Sequence, residues 1–317
     1  CFLSLHHANR KYFDHRPQRQ KYCRELLINL KKEGMDLVSV FPVTDDYEEK
    51  DIKKAVDALK GQEFDYLVVC IAGWIPTHAV VKITEHFREK PMVLWGLCGW
   101  IEDGRIVTTA DQAGTTAIRK TFYDLGYTFK YVYDIIGLPT NSKKVAQFGT
   151  AAAAANKLRH ARAGMAGYRD MNLYGTQVDG PSLKREIGPE IETFEMLEIE
   201  QRYQKLTEGE IQEVIDKCMS KWHFVKPANP ESMKKAAGYY LAVKAICDER
   251  GYDAISLKDV DGMKKLLGFP PAPIFMLLSD EAGLCTIPEN DSLGNITQLM
   301  VKYLTGQCAF YLEFYEF

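Results

Sequence analysis

A short apolar run, Leu67-Val68-Val69-Cys70-Ile71, decides the fold that this sequence predicts. It belongs to a β-rich segment, Tyr66–Ala72, and helical patterns precede and follow that segment. The same alternation of β-rich segments and helical patterns extends from residue 1 to about residue 136. Such an alternation is typical of parallel strands that are joined by helical crossovers.

The first part of the chain is therefore predicted to form a five-stranded, doubly wound α/β layer. The predicted strands are Cys1–Leu5, Asp36–Phe41, Tyr66–Ala72, Pro91–Leu97 and Tyr127–Tyr133. The predicted helices between them are Pro17–Glu33, Glu49–Lys60, Thr77–Arg88 and Gln112–Leu125. Sheets of this kind bind ligands beyond the carboxyl ends of their strands, which directs attention to the loops that open at Trp74 and Gly96.

A turn-rich hinge, Gly137–Ser142, ends this first domain, which we place at residues 1–140. A second domain, residues 141–305, begins with a predicted helix and returns to Rossmann-like α/β order. Its predicted helices are Lys143–His160, Pro230–Arg250 and Leu293–Leu304, and its predicted strands are Ala163–Tyr168, Glu190–Met196, Asp253–Leu257 and Ile274–Leu278. A last strand is predicted at Cys308–Phe317, where the chain ends.

Composition and charge exclude several classes of protein. Hydrophobic residues make up 46% of the 317 residues, which is typical of a globular protein. The net charge is −3, so the sequence predicts no basic surface that would attract nucleic acid or anionic lipid. The eight scattered cysteines lack CxxC pairs, which indicates a reducing compartment. Without a long apolar segment or a signal-peptide pattern, the sequence predicts a cytoplasmic protein with no membrane partner.

Several catalytic motifs are missing from the sequence. No GxGxxG follows the first predicted strand, and no GxxxxGK[ST] occurs, which argues against a dinucleotide or P-loop site. The sequence also contains neither HExxH nor GxSxG, so zinc proteases and serine hydrolases are disfavoured.

The most informative segment for function is Thr286–Met300. Apolar residues at 293, 296, 299, 300 and 304 predict a helix that Asp291 or Ser292 caps and Gly306 ends. Glu289 comes just before the helix N-terminus, where the helix dipole favours an anion and Pro288 restricts the backbone. We expect Glu289 to be held as a carboxylate at a fixed place, either as a structural helix-entry anion or as part of a site.

A second acid, Glu313, lies within the strand predicted at Cys308–Phe317. It is flanked by aromatic residues, and a charge in so apolar a strand needs a partner such as a metal ion or a substrate hydroxyl. The alternative is an acid on a solvated strand face. Taken together, Glu289 and Glu313 are predicted to converge on one divalent cation.

The run Ile287–Asp291, the helix that ends at Thr305-Gly306, and the run Leu312–Tyr315 together resemble the core of the L-fucose/L-arabinose isomerase family. The resemblance implies that two acids, 24 positions apart here (313 minus 289), bind Mn²⁺ with a downstream histidine and also transfer protons. It further implies two α/β domains followed by a β-rich third one, of which residues 306–317 are the first strand. Because the last histidine is His223, the chain either is a fragment or has lost the metal site, and the predicted strand that stops at Phe317 favours a fragment.

The function predicted on these grounds is a metal-dependent aldose–ketose isomerase of free sugars. Glu289 and Glu313 are its predicted metal ligands and its acid–base pair, acting through an enediol. The resemblance also implies a homo-oligomer, because in that family the site is shared between subunits.

Three further residues are predicted substrate contacts, each with a structural alternative. Trp74 follows the third strand, where a ligand could reach it, or else it covers the sheet edge. The resemblance implies that an aromatic residue of this domain caps the sugar of a neighbouring subunit. Gln112 begins a helix and contacts a sugar hydroxyl or caps the helix, and Lys258 faces the cleft or forms a solvated turn with Asp259. A non-catalytic sugar-binding or sensor protein, and an inactive assembly subunit, remain the alternative functions.

Overall fold

The structure is a computed structural model, and it describes residues 2–6, 16–44, 48–108, 111–312 and 314. The chain divides into two compact units, which we call unit 1, residues 1–153, and unit 2, residues 154–317. Each unit is built around its own parallel β-sheet. The predicted α/β class is thereby confirmed.

Unit 1 contains six strands and five helices in its described part. They are β1 (Phe2–His6), α1 (Arg16–Lys32), β2 (Ser39–Thr44), α2 (Lys50–Lys60), β3 (Leu67–Ile71), α3 (Thr77–Thr84), β4 (Met92–Glu102), β5 (Arg105–Val107), α4 (Asp111–Asp124), β6 (Phe129–Ile136) and α5 (Ser142–His160, which continues into unit 2). Five strands are parallel in the order β2-β1-β3-β4-β6, and β5 is antiparallel to β4.

The central strand β3 explains why helices cover both faces of this sheet. All five of its residues are buried, and successive side chains of a strand point to opposite faces. Leu67, Val69 and Ile71 pack in one cluster with residues of α2, α3 and α4. Val68 and Cys70 pack in another cluster with residues of α1 and α5. A strand that is buried on both faces must be apolar throughout, as Leu67–Ile71 is.

The prediction for β4 was too short, and β5 was missed. β4 continues to Glu102 and turns back through Asp103-Gly104, so that Glu102 pairs with Arg105. Both turn residues have positive φ, 48° and 73°, as a two-residue type I′ hairpin turn requires. The Asp-Gly pair was the available sequence signal for this hairpin.

Unit 2 contains four strands in its described part, all parallel in the order β10-β9-β7-β8. The elements are β7 (Arg162–Ala166), α6 (Gly180–Glu186), β8 (Glu190–Phe194), α7 (Met196–Tyr203), α8 (Glu208–Lys221), α9 (Pro230–Arg250), β9 (Ala254–Leu257), a π-helical turn (Asp259–Lys264), α10 (Ala272–Ala282), β10 (Cys285–Ile287) and α11 (Ser292–Thr305). The two largest hydrophobic clusters of this unit lie between the sheet and its helices.

One predicted strand of this region is wrong, and a second is wrong over its described residues, 308–312 and 314, while the rest of it lies outside the described residues. Ile274–Leu278 lies within helix α10, where residues 274, 277 and 278 are buried at helical spacing and Gly283 ends the helix with φ 64°. The strand follows instead, at Cys285–Ile287. Cys308–Leu312 forms no strand either. Phe310 is 94% exposed and Leu312 is 72% exposed, so this apolar stretch lacks the packing that a strand of the core receives.

Among the helices that the structure describes, none is long and apolar enough to cross a lipid bilayer.

The close contact between β4 and α4 gives a test of the packing in unit 1. A Cβ atom on Gly96 would lie 2.5 Å from Cγ2 and 2.9 Å from Oγ1 of Thr115, whose side chain is fully buried and has no room to move. We expect Gly96→Ala to lower the free energy of unfolding by about 1–3 kcal/mol because the core becomes overpacked. Urea denaturation measures this change.

The matched control is Gly61→Ala. A Cβ atom on Gly61 meets nothing within 4 Å, and its φ of −83° suits alanine. This variant should keep or slightly raise stability, by about 0.4–1 kcal/mol, because alanine restricts the unfolded chain. Equal losses of stability in Gly96→Ala and Gly61→Ala would show that the contact with Thr115 does not disfavour an alanine at position 96.

Candidate functional site

The carboxyl edge of the sheet in unit 2 gathers the polar residues that are candidates for chemistry. β7 ends in the loop that begins at Gly167, β9 leads into the π-helical turn, and β10 leads into Pro288–Asp291. The strand order reverses between β7 and β9, and parallel sheets generally bind ligands at such a switch point. π-Helical turns are also frequent at functional sites.

Glu289 lies in the turn between β10 and α11, as predicted. The next residues confirm the helix start, because the Asp291 side chain accepts a hydrogen bond from the Gly294 N–H at 2.9 Å. Glu289 and Asn290 both have positive φ, 61° and 56°. Left-handed backbone at two consecutive non-glycine residues costs free energy, so surrounding contacts must enforce it.

The side chain of Asn290 supplies those contacts. It is fully buried, and its Nδ2 donates hydrogen bonds to the main-chain oxygens of Ala166 at 3.1 Å and Tyr168 at 2.6 Å. Its main-chain N–H donates to Leu257 O at 3.2 Å. The turn that carries Glu289 is thus tied to the ends of β7 and β9.

A cavity of about 730 Å³ opens beside this turn. Its polar lining includes Asp259, Lys264, Ser279, Thr286, Glu289 and Gln298. Its apolar lining includes Phe275, Met276, Phe310 and the ring of Tyr311. Asp259 is 8% exposed, and its Oδ1 lies 3.3 Å from Lys264 Nζ. Three carboxylates, those of Asp259, Asp280 and Glu289, therefore line the same cavity.

Asp170 fixes the π-helical turn that carries Asp259. Its fully buried carboxylate accepts hydrogen bonds from the N–H groups of Met171 at 3.0 Å, Val260 at 2.7 Å and Asp261 at 2.9 Å. The side chain of Asp261 also accepts a hydrogen bond from Met171 N–H at 2.9 Å, which is a second link between the π-helical turn and the β7 loop. A hydrogen bond from Lys265 lowers the pKa of Asp261, which favours its charged form. The β7 loop and the π-helical turn thus act as one unit.

Apart from Glu289, no predicted site residue is among the described residues that line this cavity. Lys258 directly follows β9 and packs its side chain against Gly167, but it is not part of the cavity lining. Glu313 lies outside the described residues. Trp74 and Gln112 belong to unit 1, whereas Glu289 and Lys258 belong to unit 2.

Within unit 1, Trp74 and Gln112 lie near each other. Trp74 is half-buried, and its Cδ1 is 3.2 Å from where a Cβ atom on Gly114 would be, so it packs against the first turn of α4. Gln112 belongs to that turn and has an exposed side chain. The contact with Gly114 agrees with a structural role for Trp74, and a ligand contact at Gln112 stays a prediction.

Sequence reasoning missed Asp259, Lys264 and Gln298. Asp259 comes directly after a correctly predicted strand, but the expectation was a solvated Lys258–Asp259 turn. Its burial depends on the π-helical turn, which has no local sequence signal that we recognise. Gln298 had one signal, since it continues the polar stripe of Asp291 and Asn295 on a helix that is otherwise apolar on its inner side.

The donor types in the cavity agree with the implied Mn²⁺ only in part. Carboxylate oxygens of Asp259 and Glu289 are ligands that Mn²⁺ prefers. However, the described part of the chain contains no group of three His, Cys, Asp or Glu residues placed to hold a metal ion. A complete metal site in this cavity would need a further donor, a role that the resemblance gives to Glu313.

The Asp170 contacts lead to a stability prediction. We expect Asp170→Ala to lower the free energy of unfolding by about 2–4 kcal/mol, because it leaves the N–H groups of Val260 and Asp261 without their acceptor. Amide hydrogen exchange should accelerate at Val260 and Asp261. The control is Asp179→Ala, which removes an exposed cap of α6 and should cost clearly less stability than Asp170→Ala. Similar losses in both variants would contradict the proposed role of Asp170.

Asn295 leads to a second stability prediction, in which the variant is more stable than the unchanged protein. It is fully buried, and neither its Oδ1 nor its Nδ2 has a hydrogen-bond partner within the described residues. We expect Asn295→Leu to raise the free energy of unfolding by about 1 kcal/mol, because it replaces unpaired polar atoms with an apolar group of similar shape. Asn290→Leu, which loses two hydrogen bonds, should instead lower it by about 2 kcal/mol. Thermal and urea denaturation of the pair test both signs.

The chain matches no model of a known protein family, and it matches no curated protein. The chemistry of the site is therefore judged from its own geometry. Asp259 and Glu289 line one cavity with the ammonium group of Lys264, at the edge of a parallel sheet where ligands generally bind.

Proposed function

We propose that this protein is a metal-dependent aldose–ketose isomerase of free sugars. The observation that supports the proposal most strongly is the placement of Glu289. Its carboxylate is carried on a turn that Asn290 holds rigidly, and it lines a cavity together with a second carboxylate, Asp259. A volume of about 730 Å³ is within the usual range for small-molecule sites.

The proposed reaction moves a proton between C1 and C2 of an open-chain sugar through an enediol. It needs a base that removes the proton and an acid that serves the oxygens. We assign these tasks to Glu289 and, on the resemblance alone, to Glu313. Bound Mn²⁺ would stabilise the negative charge that develops on the substrate oxygen. Asp259 and Lys264, on the cavity wall, would orient hydroxyl groups of the sugar.

The proposal extends to the architecture, the cellular location and the assembly of the protein. We propose that both units are doubly wound, Rossmann-like domains in tandem, and the strand orders and the clusters on both faces of the first sheet support this arrangement. The proposal also includes a cytoplasmic location, a homo-oligomeric assembly, and substrate contacts at Trp74, Gln112 and Lys258.

A non-catalytic sugar-binding protein is the second candidate. One observation favours it, namely that the cavity combines hydrogen-bonding groups with aromatic and apolar side chains, as binding sites do without any proton transfer. Such a protein would bind aldoses with no need for Mn²⁺, and would form no ketose from them.

Glu289→Gln tests the isomerase. The protein is incubated with Mn²⁺ and a panel of aldopentoses and aldohexoses, and ketose formation is followed. We expect turnover that a chelator abolishes, and a decrease of about 10²- to 10⁴-fold in Glu289→Gln, because the amide cannot accept the proton. The control is Glu190→Gln on the exposed edge of β8, which should leave the rate unchanged.

Two outcomes would contradict the proposal. A folded Glu289→Gln variant that retains more than about a tenth of the rate would exclude Glu289 as the proton carrier. Aldose binding without any ketose, with or without Mn²⁺, would favour the binding protein.

A further inference from the structure

Two cysteine side chains meet beside the cavity in unit 2. Cys308 lines the cavity and is exposed, whereas Cys285, the first residue of β10, is fully buried. The two side chains are hydrogen-bonded to each other. The sulfur of Cys308 also lies 3.6 Å from the hydroxyl oxygen of Ser279. A buried thiol is thus in contact with a thiol that solutes can reach.

The segment that carries Cys308 has room to adjust. Helix α11 ends at Gly306, whose φ of 72° turns the chain, and Cys308 lies two positions later, outside any helix or strand. β10, in contrast, is paired with β9, and this pairing fixes the position of Cys285 in the sheet. A disulfide requires the two sulfur atoms to approach to about 2.0 Å, and movement of the Cys308 segment alone can supply that approach.

The two thiols differ in their access to reagents. Burial raises the pKa of Cys285 to about 11, so at neutral pH this residue stays a protonated thiol that reacts slowly with solutes. Cys308 is the member of the pair that a disulfide in solution can reach. An accessible sulfur beside a resolving one is a common arrangement of redox-sensing cysteines.

A second pair of thiols in the chain provides a comparison. Cys23 on α1 and Cys70 on β3 also share a hydrogen bond, but both are fully buried. A disulfide in solution therefore has no approach to either sulfur while the protein is folded. Contact between two thiols is not sufficient for exchange, and the exposure of Cys308 is what distinguishes its pair.

We propose that Cys308 is a site of reversible disulfide exchange with low-molecular-weight disulfides such as oxidised glutathione, and that Cys285 resolves the product into a Cys285–Cys308 disulfide. The new bond ties residues 308–311, which line the cavity, to β10. Disulfides of proteins in a reducing compartment are usually transient and redox-sensing, so reversal by free thiols is part of the proposal. Neither step depends on the proposed isomerase activity.

The exchange proceeds in two balanced steps. The Cys308 thiolate attacks one sulfur of oxidised glutathione, forms a mixed disulfide and releases one glutathione thiolate. The Cys285 thiol then loses its proton and attacks the Cys308 sulfur, which breaks the mixed disulfide and releases the second glutathione. Two protein thiols lose two electrons in total, and one oxidised glutathione becomes two reduced ones, which take up the two protons.

Peptide mapping of the full chain tests the proposal. The protein is incubated at neutral pH with oxidised glutathione, the reaction is quenched with N-ethylmaleimide in denaturant, and the digested peptides are identified by mass spectrometry. We expect a pair of peptides joined through Cys285 and Cys308, which dithiothreitol separates. Cys23 and Cys70, the control pair, should be recovered as free thiols that carry the maleimide.

Two variants separate the roles of the thiols, and thermal denaturation first establishes that each is folded. Cys285→Ala should stop at the mixed disulfide between Cys308 and glutathione, because the resolving thiol is missing. Cys308→Ser should leave Cys285 as a free thiol, because no exposed sulfur starts the exchange. In the unchanged protein, oxidation should raise the melting temperature by several degrees, because the bond closes a loop of 23 positions (308 minus 285) that contains α11.

Three results would overturn the proposal. The first is recovery of both Cys285 and Cys308 as free thiols after oxidation of the unchanged protein. The second is a mixed disulfide at Cys308 that is never passed on to Cys285. The third is linkage of Cys23 to Cys70 at the same rate, which would show that the exposure of Cys308 does not select the reacting pair.

Discussion

The buried amide of Asn290 donates both of its hydrogens to main-chain oxygens at the end of β7, and the rest of the site depends on that contact. Without it, two consecutive left-handed residues would have little to stabilise them. With it, the direction in which Glu289 leaves the turn is set by the sheet rather than by a flexible loop. The Ser256 hydroxyl, which donates to Ile287 O at 2.6 Å, adds a second fixed point from β9.

Asp170 does the same for the opposite wall of the cavity. Its three hydrogen bonds from main-chain N–H groups join the β7 loop to the π-helical turn, which carries Asp259 and Lys264. Two buried polar side chains, Asn290 and Asp170, thus hold the segments that follow three neighbouring strands. Held in this way, the segments that carry Asp259 and Glu289 keep their places on the cavity wall.

Local rules were enough to predict some of this arrangement and too weak for the rest. The Asp291 cap and the Gly306 end of α11 follow from the identities of single residues, and the structure confirms both. The apolar run Ile274–Leu278 fits a strand or a buried helix equally well by hydrophobicity, and only its contacts within the larger hydrophobic cluster of unit 2 settle it. The burial of Asp259 depends on Asp170, which is 89 positions earlier in the chain, so no local pattern predicts it.

Helix α11 also sets a scale for the ligand. Glu289 stands just before its N-terminus, and Gln298 lies on its second turn, so roughly 9 Å of helix axis separate the first residue of the helix from Gln298. The helix is rigid, which means that this separation changes little when the side chains move. Because Glu289 and Gln298 line the same cavity, they mark a fixed length of its wall. A ligand that reached from one to the other would have to extend over several bonds.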